Sequence, residues 1–66
     1  VDKNKIAERL IQLRGKRTQA EVAEAVGITP SAYSMYETGE RVPRDEIKIR
    51  LAKYYKRTVN AIFFAD

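Results

Sequence analysis

The stretch Thr18 to Gly39, TQAEVAEAVGITPSAYSMYETG, constrains this chain more than any other part of it. It holds two helix starts on either side of a glycine. Thr18 opens the first, and Glu21 stands where a capping box needs it. The threonine hydroxyl accepts from one free backbone N–H while the glutamate reaches back to another. Gly27 ends that helix, because a left-handed residue after the last turn costs glycine no Cβ clash. Thr29 caps the second helix and Pro30 fills its first turn, where a missing N–H loses nothing. Helices this short do not persist alone in water, so the rest of the chain must pack around them.

The flanking sequence supplies that packing. Glycine and proline occur only at Gly15, Gly27, Pro30, Gly39 and Pro43, as punctuation between short helices. Apolar and polar residues never alternate cleanly over a strand's length, which predicts an all-α fold. Helix one is expected from about Lys3 to Arg14, with Ile6, Leu10 and Leu13 as its buried stripe, Ala7 beside them and Ile11 off it. Helix two covers Thr18 to about Val26, with Val22, Ala23 and Val26 inward. Helix three covers Thr29 to about Glu37, with Tyr33 and Tyr36 on the core. Thr38-Gly39-Glu40 reads as a turn and Arg41-Val42-Pro43 as an extended link. Helix four runs from about Asp45 to Tyr55, turning Ile47, Leu51, Tyr54 and Tyr55 to one side and Ile49 to the other. Thr58 caps a last helix, Val59 to Phe64, with Val59, Ile62 and Phe63 inward and Phe64 aside. The expectation is one domain over residues 1–66, a compact bundle of five helices.

Composition narrows the chemistry. A chain of 66 residues buries only about 60% of its unfolded surface, so its core is modest. It has neither cysteine nor histidine, which removes disulfides, the common metal sites and most nucleophile–base pairs. Its carboxylates are spread along solvent faces, so no catalytic residue, metal site, cofactor or small-molecule ligand is expected and an enzyme is rejected. No apolar run approaches the roughly 20 residues that span a bilayer, and VDKNK is too polar to open a signal peptide. Thirteen lysines and arginines against nine aspartates and glutamates give +4, a balance that favours a polyanionic partner.

Two helices at a glycine turn, the second with a face of small residues, describe a helix-turn-helix over about 18–37, whose DNA-binding version lays the second helix in the major groove. The chain resembles the Xre/Cro-repressor family of helix-turn-helix regulators along nearly its whole length. The matching residues are Leu13-Arg14, Thr18-Gln19, Val22-Ala23, Gly27-Ile28-Thr29 and Tyr33-Ser34, then Glu37-x-Gly39, Arg41-x-Pro43, Leu51-Ala52 and Thr58 before an apolar close. The turn between Arg14 and Thr18 is shorter than in the best-known phage repressors. The resemblance implies a lambda-repressor-like DNA-binding domain, bacterial or phage-encoded, acting in the cytoplasm on double-stranded DNA.

It also implies roles. Gln19 takes the place of a phosphate-binding residue at the start of helix two, and a helix N-terminus suits an anion. Thr29, Pro30, Ser31, Ala32, Ser34 and Met35 fall on recognition-helix positions that face DNA: Thr29 toward the backbone, the others toward bases. Glu37 takes the place of an acidic residue that pairs with an arginine like Arg14. Arg41 lies in a loop that follows a phosphate. Lys16, Arg17, Arg41 and Arg44 cluster in the turns flanking the motif, with Arg17 and Arg41 expected on the DNA backbone.

The recognition face offers no Arg, Lys, Asn or Gln for bidentate base contacts, which are worth about 1–3 kcal/mol of discrimination. Two hydroxyls and several apolar groups point instead to thymine methyls and to the shape and stiffness of the site. Phe64, with Ile49, is expected at the interface of a two-fold homodimer, since two half-sites need two recognition helices. The leading expectation is a Cro-like repressor on a (pseudo)palindromic operator. The alternative is a protein-binding module on the same fold, such as an antitoxin or accessory partner domain.

Overall fold

The computed structural model describes residues 2–65. Four α-helices follow one another: α1 Lys3–Arg14, α2 Gln19–Val26, α3 Pro30–Thr38 and α4 Asp45–Tyr55, and a π-helix, Asn60–Phe64, closes the chain. Among the described residues there is no strand. No helix is long and apolar enough to cross a membrane.

Local chemistry explains most boundaries. Asp2 Oδ1 accepts from the backbone N–H groups of Asn4 and Lys5 and so starts α1. Thr18 Oγ1 accepts from the Glu21 N–H at 3.0 Å, and Thr29 Oγ1 from the Ala32 N–H at 3.0 Å. Among the described residues only the threonine half of the expected capping box forms; the Glu21 side chain stays in water. Gly27 sits at φ +78°, the left-handed region that favours glycine, and the reversal lets the Ile28 N–H reach the Ala23 carbonyl at 2.9 Å. Helix α3 runs one residue further than expected, through Thr38, before Gly39 at φ +81° stops it.

The last element corrects the sequence reading more sharply. Thr58 does cap it, accepting from the Ala61 N–H at 3.0 Å. The turn then widens to π geometry, with the Ala65 N–H bonded to the Asn60 carbonyl at 2.7 Å. A wider turn reduces the angle between adjacent side chains, so the neighbours Ile62 and Phe63 both bury. Carbonyls that the widened turn leaves free are taken by Arg9 of α1, which donates to those of Ile62 and Ala65.

Helix α3 packs on both α1 and α2, α4 on α2, and the π-helix on α1. The core joins Ile6 and Leu10 of α1, Val22, Ala23 and Val26 of α2, and Tyr33 and Tyr36 of α3. Ile47, Leu51, Ala52 and Tyr55 of α4 complete it with Ile62 and Phe63. Burying each large apolar side chain contributes about 1.5–3 kcal/mol, which holds helices too short to stand alone. Leu13, Tyr54 and Val59, expected inside, lie half-buried at the edge of this core. Tyr33 is fully buried, and its hydroxyl lies 2.7 Å from that of Tyr55 and donates to the Leu10 carbonyl at 3.4 Å. One aromatic side chain of α3 thereby meets α1 and α4 together.

Candidate nucleic-acid interface

Tyr33 and Tyr36 alternate with solvent-facing positions, so anchoring them in the core decides which face of α3 is left outward. Pro30 and Ser31 are exposed; Ala32, Ser34 and Met35 are half-buried along the same short helix. The Thr29 hydroxyl, expected near the DNA backbone, is engaged as the cap of α3.

The far end of α3 is locked to the start of α2. Arg14 grips Glu37 with two donors, Nε to Oε2 at 2.7 Å and Nη2 to Oε1 at 3.1 Å. Gln19 Nε2 donates to the same Oε1 at 2.9 Å. The third arm of Arg14, Nη1, donates to the Arg17 carbonyl at 2.8 Å, which fixes the turn before Thr18. Glu37 is only 6% exposed. Burial raises its carboxyl, but the hydrogen bonds from Arg14 and Gln19 outweigh that and hold it below the usual carboxylate range. Its hydrogen bond to Glu37 likewise raises the Arg14 guanidinium above its usual range. The Arg14–Glu37 pair expected from the resemblance is therefore present. Gln19 belongs to it as well, a bond that helical periodicity does not reveal because the partners are 18 positions apart.

The four expected backbone contacts are not equally free. Arg17 bends back: its Nη1 donates to the Leu13 carbonyl at 3.1 Å, and its guanidinium carbon lies 5.3 Å from the Tyr54 ring centre and 5.7 Å from that of Tyr55. It is bound to α4 by cation–π attraction, which pattern reading does not see because α4 is distant in sequence. Arg41 is exposed, and among the described ion pairs it has no carboxylate partner. Arg41, Arg44, Thr29 and Ala32 line one open groove floored by Ile28, Tyr36, Val42 and Ile47. The structure thus brings one arginine loop beside the first turn of α3 and holds the other basic turn against α4.

Phe64 and Ile49 are 48% and 49% exposed. Between their two elements lies Lys48, a buried lysine that the sequence did not single out. Its Nζ is 3.6 Å from Asp45 and 4.8 Å from the Phe64 ring centre. Among the described residues no group of His, Cys, Asp or Glu is arranged to hold a metal ion.

Comparison with known proteins agrees with this architecture. The helix-turn-helix family HTH_3 matches residues 6–62. The chain is similar to the cryptic phage CTXphi transcriptional repressor RstR of Vibrio cholerae serotype O1 (strain ATCC 39315 / El Tor Inaba N16961). The two are 40% identical over 50 residues, covering 73% of this chain and 45% of that protein. The chain thus spans less than half the length of that relative. No solved structure matches. With the family match reaching from the first buried residue of α1 to the core of the closing π-helix, the chain belongs to the helix-turn-helix family of Xre/Cro type.

Proposed function

We propose that residues 1–66 act as a single sequence-specific DNA-binding domain of a transcription regulator, a Cro-like repressor. The observation that carries the reading is the position of the outward face of α3. It lies between the N-terminus of α2, braced by the Gln19–Glu37 bond, and the exposed Arg41 and Arg44. In this reading Pro30, Ser31, Ala32, Ser34 and Met35 meet base edges, and Gln19, Thr29 and Arg41 follow phosphates. Arg17 contributes its charge from its seat on Tyr54, and a phosphate contact requires it to leave that ring. Similarity to a protein named a transcriptional repressor supports the repressing sense.

Two copies bind a (pseudo)palindromic operator as a two-fold dimer, with Phe64 and Ile49 as the apolar contacts. Occupation of a promoter blocks it sterically, in the cytoplasm where the DNA lies. Base choice leans on thymine methyls and on the deformability of the site, because no side chain on the face makes a bidentate base contact.

That plain face also favours a second reading, a protein-binding module on the same fold. Selection of bound DNA from a random pool, followed by titration across a salt series, separates the two. A recovered half-site with affinity that falls steeply with salt supports the regulator. Salt-sensitive binding without sequence preference points to an accessory role, and no DNA binding at all to the partner module.

A further inference from the structure

We propose that the groove between α1 and the closing π-helix docks an acidic segment of a partner protein, anchored by one apolar side chain. Arg9, Gln12, Leu13, Arg57, Ala61 and Ile62 line this groove, which encloses about 450 Å³. Volumes of this order hold small ligands or a few side chains. Half-buried Leu13 and exposed Ala61 supply the accessible apolar lining, over an Ile62 that is fully buried in the core.

The rim is cationic, and no ion pair among the described residues neutralises it: none of the three uses Arg9 or Arg57. Arg9 donates to the Ile62 and Ala65 carbonyls, which orient the guanidinium without cancelling its charge. Arg57 Nη1 reaches only the carbonyl of its neighbour Lys56, at 3.2 Å. The left-handed turn at Lys56, φ +57°, folds the chain back so that the Arg57 N–H meets the Ala52 carbonyl at 3.0 Å. That reversal brings Arg57 to the groove opposite α1. Lys53 and Lys56 are exposed on the same chain reversal, while Glu8 is the one carboxylate that α1 contributes. Positive potential around a concave apolar floor complements carboxylates flanking an apolar residue.

A DNA strand fits this surface less well than a protein segment. A phosphodiester backbone has no apolar side chain to fill the floor. The groove shares no residue with the proposed DNA-reading set.

The test is titration of the nitrogen-15-labelled chain with a synthetic peptide of alternating glutamate and leucine. A peptide with lysine in place of glutamate serves as the control. The expected result is amide shifts centred on Gln12, Leu13, Arg57, Ala61 and Ile62, none on Ser31 to Met35, and no response to the lysine peptide. Arg57→Glu should weaken binding about tenfold, and Arg57→Ala less, with thermal melting unchanged because Arg57 is exposed. Absence of shifts at millimolar peptide, shifts centred on α3, or undiminished binding by both variants would overturn the proposal. Shifts of the same groove residues produced by random duplex DNA rather than the peptide would overturn it in favour of a nucleic-acid surface.

Discussion

The side-chain amide of Gln19 donates to Glu37 Oε1 across 2.9 Å, joining the first residue of α2 to the last turn of α3. Arg14 completes the bond network from α1, so one buried carboxylate sets the spacing of three helices. Glu37→Gln removes the charge that Arg14 faces. Breaking a fully buried pair costs about 3–5 kcal/mol; with Arg14 partly exposed, about 2–3 kcal/mol is expected, read as a lowered urea midpoint at pH 7.

The same carboxylate sets the acid limit. Its folded pKa lies below its ordinary value of 4.5, so the unfolded chain binds the proton first as pH falls. The stabilisation is complete above 4.5 and is lost as pH drops through the folded value. Urea midpoints taken from pH 7 downwards should fall in that window, and Glu37→Gln should flatten the fall.

At the alkaline end the Tyr33 and Tyr55 hydroxyls act in the opposite direction. Burial raises both above the ordinary phenol value of 10.0. The folded chain keeps protons that the unfolded chain releases, so stability holds below pH 10 and declines above it. Tyr55→Phe leaves Tyr33 with the 3.4 Å bond to Leu10. A loss of about 1 kcal/mol at pH 7 and a weaker alkaline decline are expected from chemical denaturation.

Lys56 is the one non-glycine residue of positive φ among the described residues. A side chain in the left-handed region costs roughly 1–2 kcal/mol, which glycine avoids while adding entropy to the unfolded chain. Lys56→Gly should therefore stabilise by about 0.5–1 kcal/mol, seen as a higher melting temperature.

Thymine methyls carry part of the proposed base recognition, through Ala32, Met35 and Pro30. Replacing thymine by uracil in the selected operator removes only the methyl. Each contacted position should lose about 0.8 kcal/mol, close to fourfold in affinity. Fluorescence anisotropy with singly substituted duplexes reads the effect; equal affinity at every position would remove methyl contact from the account.

Caps and glycines made the helix-turn-helix legible: Thr18, Thr29 and Thr58 each accept the backbone bond their positions demand, and Gly27 and Gly39 each stop a helix. These signals are local, so a linear reading finds them. What it missed is long-range. Arg17 is drawn to Tyr54 and Tyr55, Arg9 to the carbonyls of a widened last turn, and Lys48 into a niche between Asp45 and Phe64. Long cationic side chains choose partners by tertiary proximity, and their spacing along the chain carries no trace of that choice. The π geometry at Asn60–Phe64 escaped for a related reason, since it follows from seating Ile62 and Phe63 together.

DNA reading by the outward face of α3 is the central proposal. Ser31→Glu and Lys53→Glu change net charge by one and two units and alter only exposed positions. Their affinities for the selected duplex, measured at one salt concentration, test the claim directly. Ser31→Glu is expected to lower affinity at least a hundredfold, and Lys53→Glu, despite the larger charge change, less than about tenfold. Equal losses from the two variants, or full affinity in Ser31→Glu, would contradict it.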